Sequence, residues 1–121
     1  MKNILLIEDD KLISSLVRFR LNKEGYNVTA VEDGIKGMEA IDSGEHDLII
    51  TDVMIPFKNG IEIISHSKKI NPNIPIIVLS SLGEEEGTVL KAFNLGASDF
   101  IPKPFNPNEL AIRVQRLISV N

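Results

Sequence analysis

Short apolar runs alternate with amphipathic stretches along the whole 121-residue chain. "NILLIE" (Asn3–Glu8) has the continuous apolar character of a buried strand. "DDKLISSLVRFRLNKEG" follows with Leu12, Leu16 and Phe19 at helical spacing and Gly25 as a C-terminal stop. "YNVTAVE" is a second strand. "DGIKGMEAIDSG" is a short helix with Ile35, Met38 and Ile41 on one face and Gly44 after it. "HDLIITD" is a third strand, and "NGIEIISHSKKIN" a third helix, leading into the loop "NPNIP". "IPIIVLSS" is a fourth strand. "GEEEGTVLKAFNLG" is a fourth helix with Val89 and Phe93 four apart and Gly96 at its end. "ASDFIPKPF" holds a short fifth strand. "NPNELAIRVQRLISV" is a closing helix with Leu110, Val114, Leu117 and Ile118 on one face. Repeats, low-complexity tracts and linkers are absent.

Strand–helix alternation of this kind predicts an α/β fold, a parallel sheet covered on both faces. Right-handed crossovers leave few topologies. The length predicts one domain spanning residues 1–121. With no cysteine, disulfides, thiolate metal sites and thiol nucleophiles are excluded. A net charge of −4 is a poor match for nucleic acid, so direct nucleic-acid binding is not expected. No apolar run approaches membrane-spanning length and the N-terminus lacks a signal-peptide layout; a cytoplasmic domain without membrane contact is the expectation.

In doubly wound sheets, ligands bind outside the carboxyl ends of the strands. The first strand ends on Glu8, Asp9 and Asp10, the third on Asp52, and the fourth on Ser80 and Ser81. The fifth runs into Lys103, set between two prolines. If these strands are neighbours, one crevice collects three or four carboxylates, a hydroxyl and an ammonium. Carboxylates packed together repel unless something neutralises them. A hard divalent cation, Mg²⁺ or Mn²⁺, prefers such oxygens. Asp9 and Asp52 offer two ligands, and Glu8 one through a water. A cation beside Asp52 also lets that carboxylate act as a nucleophile towards phosphorus, with Lys103 and Ser80 placed where charge appears on the transferred group.

Four fragments, "ILLIEDD", "DLIITDVMIP..NG", "PIIVLSS" and "GASDFIPKPF", give the whole chain a resemblance to the response-regulator receiver domain, the phosphoacceptor module of two-component signalling. The fold this implies is a flavodoxin-like (βα)5 sheet in the order 2-1-3-4-5. The resemblance assigns Asp52 as the phosphorylated residue. It makes Glu8 and Asp9 the acidic pair that positions Mg²⁺, joined by Asp52 and the backbone carbonyl of Met54. Asp10 falls one place past that pair and is read as the N-cap of the first helix. Ser80 matches the switch hydroxyl, Lys103 the phosphate-pairing lysine, and Phe100 the aromatic that turns inward on activation. Lys103–Pro104 matches a cis peptide, the kind of bond for which proline is suited. On the face of the fourth helix, fifth strand and fifth helix, Lys91, Asp99, Glu109 and Arg113 resemble charged positions of the winged-helix transcription-factor subfamily, which dimerises there. The match is partial, with Ser98 where an acid is frequent. The implied partners are a sensor histidine kinase or phosphotransfer protein, and a second copy through that face. The implied larger protein is a winged-helix transcriptional regulator with this chain as its N-terminal part.

Some features carry less. His46 and His66 read as surface residues, "GEEEG" as acids favourable to a helix N-terminus, and Lys68–Lys69 as a solvated face. Met54 and Leu82 flank the site. Phe57 stands where receivers often carry a small residue. It either narrows access to the site or meets a partner, or else tucks under its loop. Three other functions compete with the phosphoacceptor. A phosphohydrolase of the haloacid-dehalogenase type needs a second Asp where Met54 stands. A flavodoxin-like FMN binder needs a hydroxyl-rich loop where "EDD" stands. A receiver-like docking adaptor that is not phosphorylated is opposed by the intact acids, Ser80 and Lys103. No turnover of an outside substrate is expected beyond Mg²⁺-dependent self-phosphorylation and self-dephosphorylation.

Overall fold

A computed structural model of the chain describes residues 1–81 and 86–119. Five strands and five helices alternate: β1 (Asn3–Ile7), α1 (Lys11–Lys23), β2 (Asn27–Val31), α2 (Gly34–Ser43), β3 (Leu48–Asp52), α3 (Gly60–Ile70), β4 (Ile76–Ser80), α4 (Glu86–Asn94), β5 (Asp99–Pro102) and α5 (Pro107–Ser119). All strand pairs are parallel, in the order β2-β1-β3-β4-β5. The expected opening of α4 at Glu84 and Glu85, and Leu82 beside the site, lie outside the described residues, as do the side chains of Glu86 and Val89.

The unbroken apolar runs follow from a sheet covered on both sides. Successive side chains along a strand point to opposite faces. Ile4 and Leu6 join one core with Leu48, Ile50, Ile77 and Leu79, under α1 and α5. Leu5 and Ile7 join the other with Ile49, Ile76 and Val78, under α2, α3 and α4. Each of these strand residues is essentially fully buried, worth about 1.5–3 kcal/mol apiece relative to exposure. Helix ends follow their chemistry. Asp10 caps α1 through hydrogen bonds from the amides of Leu12 (2.9 Å) and Ile13 (3.1 Å). Gly25 and Gly96 take φ of 92° and 114° just past α1 and α4, a backbone region open to glycine.

Two helical faces differ from expectation. On α1, Leu12, Leu16 and Phe19 are exposed, and the sheet is met instead by Ile13, Val17 and Leu21. The helix carries two apolar stripes one residue apart, and the second one packs on Leu6 and its neighbours in the α5-side core. On α2, Ile35 is exposed while Gly34, Gly37 and Ile41 face inwards. Close approach decides this: a Cβ on Gly37 would lie 2.7 Å from Ile7 Cδ1, and one on Gly34 would lie 2.2 Å from Lys58 Cβ.

Candidate functional site

β1 lies between β2 and β3: the chain passes from β1 to β2 on one side and then crosses back over β1 to β3 on the other. That reversal opens a crevice past the carboxyl ends of β1 and β3. The register sets what enters it. Ile7 pairs with Thr51, so Glu8 emerges beside Asp52. Asp52 pairs with Leu79, and Ser80 with Pro102, so Ser80 and Lys103 follow on the next two strands. The Lys103 amide donates to the Ser80 carbonyl at 2.6 Å, and the Lys103–Pro104 peptide is cis.

The crevice brings Glu8, Asp9, Asp52 and Lys103 together. One carboxylate oxygen from each of the three acids lies within 4.8 Å of the others. Glu8 is 2% and Asp52 3% exposed, while Asp9 is open to solvent. The Lys103 ammonium stands 2.9 Å from Glu8 Oε1 and 2.8 Å from Asp52 Oδ1. Outside these ion-pair contacts, both oxygens are buried without a hydrogen-bond partner among the described residues.

Burial raises the Asp52 pKa to about 8, helped by the neighbouring Glu8 carboxyl and opposed by Lys103. Burial also pushes the Glu8 carboxyl up. Contact with Asp52, the Asp10 amide (3.0 Å) and Lys103 outweighs it, leaving Glu8 below the ordinary value. Burial lowers the Lys103 ammonium, but Asp52 and Glu8 more than restore it. One cation therefore faces three carboxyls, two of them buried side by side. Carboxylate oxygens are the ligand class that hard divalent cations take. The buried oxygens of Glu8 and Asp52, offset among the described residues only by the Lys103 ammonium, fit such an ion with exposed Asp9 as the third ligand.

The loop between β3 and α3 is tightly held behind Asp52. Met54 and Asn59 form an antiparallel bridge, and the Gly60 amide donates to the Val53 carbonyl at 2.7 Å. The Gly34 amide donates to the Pro56 carbonyl at 2.9 Å. Within this loop Phe57 has φ 72° and is 74% exposed, so it does not tuck under; Met54 is 68% exposed. Ser80 is partly buried at the end of β4. Phe100 packs against the α2–α4 core and meets Phe93 with ring centroids 5.1 Å apart.

The charged positions of α4, β5 and α5 are partly satisfied within the chain. Arg113 donates to Asp99 and Glu109, both at 2.8 Å. Lys91 is exposed. The histidines lie away from the crevice: His66 contacts Asp42 at 2.6 Å, and His46 lies 3.2 Å from the Ala40 carbonyl. No described helix is long and apolar enough to cross a membrane.

Comparison with known proteins finds relatives that match almost the whole chain. Residues 4–115 match the family model described as the response regulator receiver domain. The chain is 38% identical over 118 residues to the transcriptional regulatory protein CpxR of Escherichia coli strain K12, covering 98% of this chain and 50% of that protein. The chain thus spans about half the length of the curated relatives it matches. Among solved structures, the receiver domain of a Francisella response regulator is 31% identical with a TM-score of 0.89, covering 99% and 98% of the two chains. A CheY-like receiver domain protein from Methanospirillum hungatei JF-1 is 25% identical with a TM-score of 0.94, covering 99% and 95%.

Proposed function

Because the chain belongs to the response regulator receiver domain family, we propose that it accepts a phosphoryl group on Asp52 and passes the change on as a signal. The observation that carries this is the meeting of Glu8, Asp9 and Asp52 with Lys103 at the carboxyl ends of β1, β3 and β5. Asp52 is the nucleophile: a carboxylate oxygen attacks phosphorus in line with the departing group. Glu8, Asp9, Asp52 and the Met54 carbonyl are the residues to hold Mg²⁺ or Mn²⁺. Bound there, the cation supplies charge neutralisation for the acids and for the phosphoryl oxygens. Lys103 already contacts the Asp52 carboxylate and pairs with the negative charge that the phosphoryl group adds. The donor is a phosphohistidine on a sensor kinase or phosphotransfer protein, the partner class on which two-component signalling rests.

Ser80 and Phe100 form the switch. The hydroxyl of Ser80 turns towards the modified Asp52, and Phe100 fills the space released. This shifts a two-state population at the face of α4, β5 and α5. A second copy docks there through Lys91, Asp99, Glu109 and Arg113, after the Arg113 contacts inside the chain are exchanged for contacts across the pair. The matched relatives are transcriptional regulators, so the output we assign is control of transcription by a region outside this chain. The test is intact mass after incubation with acetyl phosphate and Mg²⁺. The chain gains one phosphoryl group; Asp52→Asn, or omission of Mg²⁺, abolishes the gain. A folded, Mg²⁺-binding wild type that never gains mass, and shows no transient adduct on rapid quenching, refutes the assignment.

A further inference from the structure

Beside the acidic centre runs a cleft of about 370 Å³ between α1, the end of β2 and the start of α2. Its α1 wall is Lys11, Ser14, Ser15 and Arg18, at the i, i+3, i+4, i+7 spacing that puts four residues on one helical face. None of these four side chains forms a hydrogen bond or ion pair among the described residues. The opposite wall carries Lys36 and Glu32, paired with each other at 2.5 Å. One end of the cleft is formed by Glu8 and Asp9 themselves. The cleft is therefore continuous with the site, and two unpaired cations and two free hydroxyls lead towards it. Lys11 to Arg18 spans about 10 Å along the helix, too long a row to serve the metal-binding acids alone.

A dianionic phosphoryl donor approaching this molecule meets a protein of net charge −4 with three carboxylates at the target. Coulomb repulsion slows such an encounter unless local cations offset it. Taking as given that Asp52 accepts phosphoryl groups, we propose that the α1–α2 cleft is the approach and holding subsite for small dianionic phosphodonors of the acyl phosphate class. Lys11 and Arg18 attract the donor, and Ser14 and Ser15 donate hydrogen bonds to its oxygens. Once a divalent cation neutralises Glu8 and Asp9, the cations Lys11, Arg18 and Lys36 face Glu32 alone, which pairs with Lys36 and interacts more weakly with Lys11, so the cleft is net cationic. In the transfer, the bond from Asp52 Oδ to phosphorus forms as the bond from phosphorus to the acyl oxygen breaks. The electron pair leaves on that oxygen, acetate departs from acetyl phosphate, and no net proton moves.

The experiment compares wild type, Lys11→Gln/Arg18→Gln, and Lys2→Gln/Lys69→Gln, a control with the same loss of charge elsewhere on the surface. Phosphorylation by acetyl phosphate and by the less highly charged phosphoramidate is followed with saturating Mg²⁺. At low ionic strength the cleft variant loses about three- to tenfold in second-order rate with acetyl phosphate, and less with phosphoramidate. The loss shrinks as salt screens the charges, while Mg²⁺ affinity stays that of wild type and the control variant behaves as wild type. Independently of reaction, inorganic phosphate with Mg²⁺ shifts the backbone amide resonances of Ser14, Ser15 and Arg18 in wild type and not in the cleft variant. Equal rates in the two variants, or phosphate shifts confined to the loop after Asp52, overturn the subsite while leaving the phosphoacceptor intact. A wild type that acetyl phosphate does not modify at all overturns the phosphoacceptor reading first.

Discussion

Replacing Asp52 by asparagine should make the metal-free protein more stable, although it removes the residue on which the site depends. Asp52 is 3% exposed and shares its surroundings with another buried carboxyl, Glu8. Its pKa is raised from 3.8 to about 8. Between those values the folded chain keeps a proton that the unfolded chain has released. The folded state therefore binds more protons, and stability falls as pH rises through this window. Each pH unit of that difference costs about 1.4 kcal/mol, so the ceiling at neutrality is about 4 kcal/mol. Glu8, held below its ordinary value, has its window under pH 4.5 and leaves the neutral slope alone. Lys103, raised above 10.5, loses its contribution only at higher pH still. Asparagine removes the titration but sets amide hydrogens near the Lys103 ammonium. The net gain at pH 7.5 should be about 1–3 kcal/mol. Urea unfolding of both proteins from pH 5 to 8.5 measures it. Wild type loses stability across the range, and the variant gives a flatter line. Added Mg²⁺ reverses the order, stabilising wild type by mass action and the variant much less. If Asp52→Asn is less stable than wild type at pH 7.5 without Mg²⁺, the account of a buried, mutually repelling pair is wrong.

Four further outcomes follow from separate features. Phe57→Gly should raise stability by about 1 kcal/mol, because φ 72° strains a bulky side chain; Phe57→Ala should gain nothing comparable, and a gain for both in urea melts refutes strain as the cause. Asp10→Ala should cost about 1 kcal/mol through loss of the α1 cap, read from the same melts, with Asp10→Ser recovering most of it. Gly60→Ala should destabilise by about 2 kcal/mol or more and slow phosphorylation, since the added Cβ would sit 2.8 Å from the Asp52 carbonyl oxygen and 3.0 Å from Val53 Cα, both backbone; unchanged stability and rate would mean that the loop yields. Arg113→Ala should leave phosphorylation intact and weaken any phosphorylation-dependent dimer by about tenfold or more, measured by sedimentation equilibrium across concentrations; a dimer indifferent to Arg113 places the interface elsewhere.

The sheet was legible because the three central strands are apolar on both faces, which needs no choice between faces. Ile4 to Ile7 go inwards whichever core each one joins. The acidic centre was legible for a related reason: strand ends are fixed by where the apolar run stops, and in a parallel sheet all those ends lie on one edge. Helices set a harder problem, since a face must be chosen. On α1, Leu12–Leu16–Phe19 and Ile13–Val17–Leu21 are both regular apolar stripes, and periodicity alone does not rank them. What decides is the neighbour each stripe meets, and that is a property of the sheet and α5. The same limit hid the conformation of Phe57, because the loop's anchors at Asn59, Gly60 and Gly34 impose a backbone that phenylalanine does not signal. It also hid the polar α1 face of Lys11, Ser14, Ser15 and Arg18, which reads in the sequence as an ordinary solvated helix surface. Only the fold sets that face against Glu32 and Lys36 and ends it at Glu8 and Asp9. The apolar stripe left exposed by the packing of α1 and the cationic stripe beside it are thus two consequences of one choice of face. A rotation of α1 by one residue would bury Leu12 and Leu16 and alter the wall of the cleft. Changes to Val17 or Leu21 should therefore disturb reaction with acetyl phosphate as well as stability, although neither residue lines the cleft.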